Sequence, residues 1–316
     1  GGVSSAGPST PMATSRYRGR FAPSPTGPLH FGSLVTALAS WLEAKHARGD
    51  WLVRIEDLDP LREPPEATGQ ILHSLECHGL FPDEPVRFQS QRHDAYQRTI
   101  ETLLAQGKAY RCRCSRKQLK DNHGYHPNRC RRGDTSPGDG PYAVRFALEE
   151  EASHWQDDLL GPQTQRVHAE LDDPVILRKE DFYAYQLAVV VDDIDQGITH
   201  VVRGSDLLNM TAQQQQIFRA LGAEPPHWLH IPVIVNEQGQ KLSKQTHAPA
   251  LDDDHPAWNL FLALQALGQQ PEPTLAHATV EEVLSWAEAH WQRSAIPLTS
   301  GQARGITGGT LSPSDR

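Results

Sequence analysis

Cysteine is scarce in this chain: four among 316 residues, three of them inside one short segment. That distribution excludes a disulfide framework and suits metal ligation instead. No apolar run reaches membrane-spanning length and no signal peptide precedes the fold, so a cytoplasmic protein is expected. Positive charge is also short, with 30 Lys and Arg against 39 Asp and Glu and a formal net charge of −9. A broadly basic nucleic-acid coat is thereby excluded, and an RNA partner would have to dock on a local patch. No internal repeat is evident. The length that remains is enough for two domains and a sizeable core.

The most informative stretch runs Arg20-Phe21-Ala22-Pro23-Ser24-Pro25-Thr26-Gly27-Pro28-Leu29-His30-Phe31-Gly32-Ser33. Tyr17 to Ala22 reads as a short strand, which the Pro/Gly-rich turn after it ends. From Phe31 on, Leu34, Leu38, Trp41 and Leu42 follow helical spacing. A strand, a tight turn and a helix N-terminus present free backbone N–H groups to an anion. His30 lies at that junction, where an imidazole can donate to a phosphate oxygen, and Gly32 lets a ligand approach the backbone. Far downstream, Lys241-Leu242-Ser243-Lys244-Gln245 follows an apolar strand, Ile231 to Val235, and a Gly-containing loop. Two lysines flanking a serine on a loop suit the charge that develops on a polyphosphate during displacement.

Together these two motifs resemble the paired signatures of the class I aminoacyl-tRNA synthetases, usually H-I-G-H and K-M-S-K-S. Ser33 and Gln245 are departures, and Ser33 stands where the family has a second histidine. Arg54-Ile55-Glu56-Asp57-Leu58-Asp59 and the run from Tyr185 to Asp193 add a resemblance to the glutamyl-tRNA synthetases, covering residues 17 to 254 in matching order. The chain is most similar to their truncated branch, since the stretch after Lys244 offers two helices, Trp258–Leu267 and Val280–Trp291, and a tail. That is too little for an anticodon-binding domain.

The resemblance implies an α/β fold: a doubly wound, Rossmann-type parallel sheet forming a class I catalytic domain, with a zinc-stapled insertion and a short C-terminal helical subdomain. It implies ATP-dependent activation of L-glutamate and transfer to the queuosine base at the wobble position of tRNA(Asp), by a ligase expected to act as a monomer. The alternatives are a shortened glutamyl-tRNA synthetase charging the tRNA 3′ end and a non-catalytic paralogue that binds RNA or a partner protein. Arg20, Ser24, Glu56, Tyr185 and Arg203 are placed by it in glutamate binding. ATP falls to Pro23, His30, Gly32, Ser33, Lys241, Ser243 and Lys244, with His30 and Lys244 as the catalytic pair and Mg2+ accompanying the nucleotide. One or two of Glu56, Asp57 and Asp59 are expected to cap the following turn. Asp192 and Asp193 are left open between capping or core pairing and substrate contact.

Along the chain, residues 1–16 read as a disordered extension, 17–108 and 171–254 as two halves of the catalytic domain, 109–170 as the insertion, 255–296 as the helical subdomain and 297–316 as a flexible tail. Expected strands are Tyr17–Ala22, Trp51–Ile55, Val175–Leu177, Ile198–Val202 and Ile231–Val235. Expected helices are Phe31–His46, Pro65–His78, Arg92–Gln106, Phe182–Val190 and Leu208–Leu221. Within the insertion, Cys112 and Cys114 form a C-x-C and Cys130 returns later. Three thiolates call for a fourth ligand to complete a tetrahedral zinc site. His126 is the better donor chemically, the family pattern favours a tyrosine and so points to Tyr125, and His123 is a third choice. Arg111, Arg113, Arg116, Lys117, Lys120, Arg129, Arg131 and Arg132 make the same segment the one basic cluster, a candidate grip for the tRNA stem. Cys77 reads as a buried, inert thiol.

Overall fold

The computed structural model describes residues 16–121, 130–131, 140–169, 173–242, 248–299 and 301–302. Its framework is a parallel sheet. Strand β1 (Arg18–Phe21) leads through the Pro/Gly turn into helix α1 (Phe31–His46), and the chain returns as β2 (Asp50–Ile55). Helix α2 (Ala67–Cys77), the short β3 (Arg87–Phe88) and helix α3 (His93–Ala105) follow. β2 pairs in parallel with β1 on one side and β3 on the other. Trp51, Val53 and Ile55 enter one apolar core and Leu52 enters another, as expected of a strand covered on both faces.

The insertion then interrupts the parallel sheet. β4 (Ala109–Cys112), α4 (Arg116–Asp121) and β5 (Ala143–Phe146) precede a hairpin of β6 (Glu151–Asp157) and β7 (Gly161–Val167), and β8 (Val175–Leu177) closes the region. Val175–Leu177 forms the expected strand but does not rejoin the parallel sheet. It pairs antiparallel with β5, so the return comes after Leu177. Helix α5 (Tyr185–Asp195) starts later than Phe182 and runs past Val190. The cause is local: Tyr183 still bridges Leu177, and Ala184 is extended and donates to the Ile176 carbonyl.

Strand β9 (His200–Gly204), helix α6 (Thr211–Ala220) and strand β10 (His227–Ile231) complete the second half. β9 and β10 pair in parallel, and Thr199 N–H donates to the Arg18 carbonyl at 2.9 Å, which sets β9 beside β1. The single strand expected over Ile231–Val235 is split, because Pro232 has no N–H to donate; the second piece is β11 (Ile234–Val235). A 3-10 turn, Ser205–Met210, likewise replaces the first turns of the helix expected from Leu208.

Helix α7 (Pro256–Ala266) and helix α8 (Val280–His290) pack on α1, and Gly301–Gln302 forms the final strand, β12. Buried Glu43 on α1 accepts from Trp291 Nε1 at 2.6 Å and Arg293 Nη2 at 2.7 Å, tying the segment after α8 to α1. No helix among the described residues is long and apolar enough to cross a membrane. Residues 1–15 and 303–316, which cover most of the expected extension and tail, lie outside the described residues.

Candidate active site

The strand order reverses between β1 and β9: the chain proceeds to β2 and β3 on one side and to β10 on the other. In an open α/β sheet, ligands bind at the carboxyl ends of the strands flanking such a switch point. A cavity of about 450 Å³ lies there. It is walled by the turn after β1, the start of α1, the end of β9 and the loop after β11, and Arg20, Pro23, Ser24, His30, Gly32, Ser33, Tyr185, Arg203 and Lys241 all line it. Ser243 and Lys244 lie outside the described residues.

At the α1 end of the cavity, His30 caps the helix, its Nδ1 accepting from Ser33 N–H at 3.3 Å. That acceptor role leaves the ring proton on Nε2, 3.1 Å from the Ser33 hydroxyl. Burial, then the nearby Lys241 charge, lowers the imidazole pKa to about 4, so the ring is neutral at neutral pH. A Cβ on Gly32 would lie 3.1 Å from the His30 ring, so this glycine keeps the cap in place as well as opening the backbone. Lys241 pairs with Asp206, which sets the start of the lysine loop against the end of β9.

The other end is an arginine cluster. Arg20 is 4 % exposed and pairs bidentately with Asp193 through Nε at 3.0 Å and Nη2 at 2.9 Å. Fully buried Arg54 donates to the same carboxylate. Burial would raise the Asp193 pKa, but Arg20 and Arg54 outweigh it and hold the group below the ordinary carboxylate range. Asp193 and Asp192 are thus core partners, Asp192 accepting from Gln89 at 3.0 Å and from Tyr96 at 2.5 Å.

Arg203 is the contrast. It is 3 % exposed, yet no carboxylate among the described residues stands within ion-pair distance. Its nitrogens are held by His230, Gln214 and Thr211, all neutral acceptors, and burial lowers its pKa. A buried cation in a neutral cage suits an anionic ligand.

Glu56 does not line the cavity. It is buried behind it, accepting from Gln89 at 3.0 Å, and burial raises its pKa to about 7 against the pull of Arg54 and Arg20. Asp57 caps the turn at Ser90, accepting from both its N–H and its hydroxyl, while Asp59 pairs with Arg178. Sequence reading missed Arg54, Gln89, Asp206, Gln214 and His230. Arg54 and Gln214 sit within segments already singled out, but their partners are distant in the chain.

Cys112, Cys114 and Cys130 converge as buried thiols outside any disulfide, with the Cys114 and Cys130 sulfurs 3.7 Å apart. Two thiolates on one tetrahedral zinc at about 2.3 Å stand about 3.8 Å apart, whereas a disulfide needs about 2.05 Å, so the cluster fits a metal ion. Without a cation, burial and then the Cys112 thiol push Cys114 up to about 12. Tyr125, His126 and His123 lie outside the described residues, as do Arg129 and Arg132. Of the basic cluster, Arg111 and Arg113 both stand 5.2 Å from the Tyr142 ring, Lys117 and Lys120 are exposed, and Arg131 is paired with Asp173. Cys77 is half-buried rather than buried, because it faces His73 one helical turn away, its sulfur 3.4 Å from His73 Nε2.

The family model for the catalytic domain of class I tRNA synthetases (E and Q) matches residues 16–296. A glutamyl-Q tRNA(Asp) synthetase of Pseudomonas putida is 48 % identical over 290 residues, covering 92 % of this chain and 96 % of the relative. The chain belongs to the glutamyl-Q tRNA(Asp) synthetase family. It is therefore a ligase of the aminoacyl-tRNA synthetase type. A member from Vibrio vulnificus is 44 % identical over 286 residues, covering 90 % of this chain and 93 % of that one. Among solved structures, a glutamate tRNA ligase from Elizabethkingia meningosepticum, in complex with its amino acid, superposes with a TM-score of 0.77. It is 26 % identical, over 91 % of this chain and 67 % of that one.

Proposed function

We propose that this synthetase activates L-glutamate with ATP and transfers it to the queuosine base at the wobble position of tRNA(Asp). In the first step the glutamate α-carboxylate attacks the α-phosphorus of ATP and pyrophosphate leaves, giving glutamyl-AMP. In the second a hydroxyl of the queuosine cyclopentenediol attacks the acyl carbon and AMP leaves. The observation that carries the amino-acid half is Arg203, a buried guanidinium on the wall of the switch-point cavity with no carboxylate partner among the described residues. The acceptor rests on the names of the relatives.

Arg203 and Arg20 hold the substrate carboxylates and Ser24 and Tyr185 line the same pocket, while Glu56, buried off the cavity wall, favours the substrate ammonium by its charge when ionised. Two buried guanidiniums, Arg20 and Arg203, line this pocket, which favours an anionic group on the ligand. Pro23, Gly32, Ser33, Lys241 and Ser243 surround ATP and its Mg2+, while His30 Nε2–H and Lys244 stabilise charge on the phosphates. Exposed Lys117 and Lys120 and the Arg111/Arg113 pair offer a patch for the tRNA stem. The deciding experiment follows glutamate-dependent ATP–pyrophosphate exchange and then acylation of tRNA(Asp). Exchange without tRNA, with acylation that survives loss of the 3′ adenosine and vanishes without queuosine, is expected. Acylation requiring the 3′ adenosine would instead mean ordinary charging.

Cys112, Cys114 and Cys130 hold one structural zinc, with Tyr125 or His126 as the fourth ligand. Chelation is expected to release one equivalent of zinc and open the insertion to protease, since so small a region has little core of its own. Metal loss that leaves the insertion protected would overturn this assignment.

A further inference from the structure

The neutral cage around Arg203 carries information about protons. Arg203 Nε donates to His230 Nε2 at 3.0 Å. A guanidinium has no acceptor, so His230 Nε2 must present a lone pair and the ring must be neutral. The ring's other nitrogen, Nδ1, lies 2.6 Å from Asp157 Oδ2. An ionised carboxylate only accepts, so Nδ1 carries the proton. Both side chains are fully buried, at 0 % exposure. Asp157 is itself fixed, because its Oδ1 accepts the backbone N–H groups of Leu159 and Leu160 at 3.0 and 2.9 Å. His230 belongs to β10, and Asp157 ends β6 in the insertion.

We infer that Asp157 and His230 are positioning residues for substrate recognition: Asp157 selects the His230 tautomer whose lone pair aims the Arg203 guanidinium at the glutamate carboxylate. The inference rests on the reading that Arg203 binds glutamate. It makes the insertion hairpin a working part of the amino-acid pocket, because the residue that sets the tautomer lies outside the nucleotide fold. Orientation is what the relay supplies. Gln214 at 2.6 Å holds Nη1, and Thr211 at 2.9 Å with the Leu207 carbonyl at 3.4 Å holds Nη2, so the His230 contact at Nε is the one that fixes the inner edge of the guanidinium.

Asp157→Asn separates this role from a structural one. Asparagine keeps an oxygen for Leu159 and Leu160 but presents an amide N–H to His230 Nδ1. The ring proton is then driven to Nε2, donor against donor with Arg203. In ATP–pyrophosphate exchange the KM for glutamate is expected to rise about tenfold to a hundredfold, with the KM for ATP unchanged. Adding His230→Gln, whose carbonyl oxygen can accept from Arg203 whatever occupies position 157, is expected to restore most of the glutamate KM. A thermal midpoint that falls with no KM split, or a double variant without rescue, overturns the inference.

Arg203→Gln distinguishes the two levels. If it raises the glutamate KM and Asp157→Asn does not, the positioning role fails and the assignment of Arg203 stands. If neither raises it, the assignment of Arg203 to glutamate fails and the relay with it. Should Asp157→Asn not fold, 15N NMR of the unaltered protein reads the same point: His230 protonated at Nδ1 is expected, and protonation at Nε2 overturns it.

Discussion

Asp193→Asn is expected to lower stability by about 3–5 kcal/mol, read as a shift in the urea midpoint, because it leaves two buried guanidiniums without their shared counterion. Arg20 and Arg54 both bond to this carboxylate, and their side chains are 5 % and 0 % exposed. Burial this deep leaves little water to replace the lost charge. Glu56 is the nearest alternative carboxylate, but it contacts Arg54 only at 3.4 Å. The contrast to measure alongside is Arg62→Ala. Arg62 also pairs with an aspartate, Asp59, but is 79 % exposed, so its loss is expected to cost about 0.5 kcal/mol or less. Equal costs for the two variants would mean that the cluster is solvated in solution and that burial does not govern it.

His30→Ala is expected to reduce the rate of glutamate-dependent exchange by about a hundredfold to a thousandfold, the usual loss on removing a preorganised donor to a developing oxyanion. The KM for glutamate should stay within about twofold of the starting protein, since Arg20 and Arg203, the residues proposed to hold the amino acid, are untouched. The pH profile gives a second reading. His30 titrates near 4 rather than at 6.5 because burial and Lys241 disfavour its charged form. The sign is that protonation is shifted downward, so the ring stays neutral as pH falls from about 8 to about 5. No inflection from His30 is expected in that window. The starting protein and the variant should therefore show parallel profiles there. A limb near 6.5 that disappears in the variant would contradict the neutral, Nε2-protonated ring.

Much of the fold was legible in the sequence. Helix α1 begins and ends at the residues expected, Phe31 and His46, because Leu34, Leu38 and Leu42 fall on one helical face and the Pro/Gly turn before it prevents an earlier start. The cavity lining around His30, Gly32 and Ser33 was equally visible, since these residues are neighbours in one short turn. Helix α5 was misplaced by three residues at its start because an antiparallel bridge from Tyr183 to Leu177 holds the preceding chain extended. That bridge joins the helix entry to the insertion sheet, and no periodicity within Phe182–Val190 encodes it.

By itself the sequence determined the class of chemistry, the parallel-sheet architecture and the segments that surround the cavity. Those depend on backbone dihedral preferences, apolar spacing and contiguous motifs, all of which act over a few residues. Only the tertiary structure decided what each charge does. Asp193 meets Arg54 across 139 residues and Arg20 across 173, while His230 meets Asp157 across 73. Those encounters pair Arg20 with Asp193 and leave Arg203 with no carboxylate partner among the described residues, and they bury Glu56 off the cavity wall. Ionisation and hydrogen-bond roles follow from which groups share a site shielded from water, and that is fixed by packing between elements.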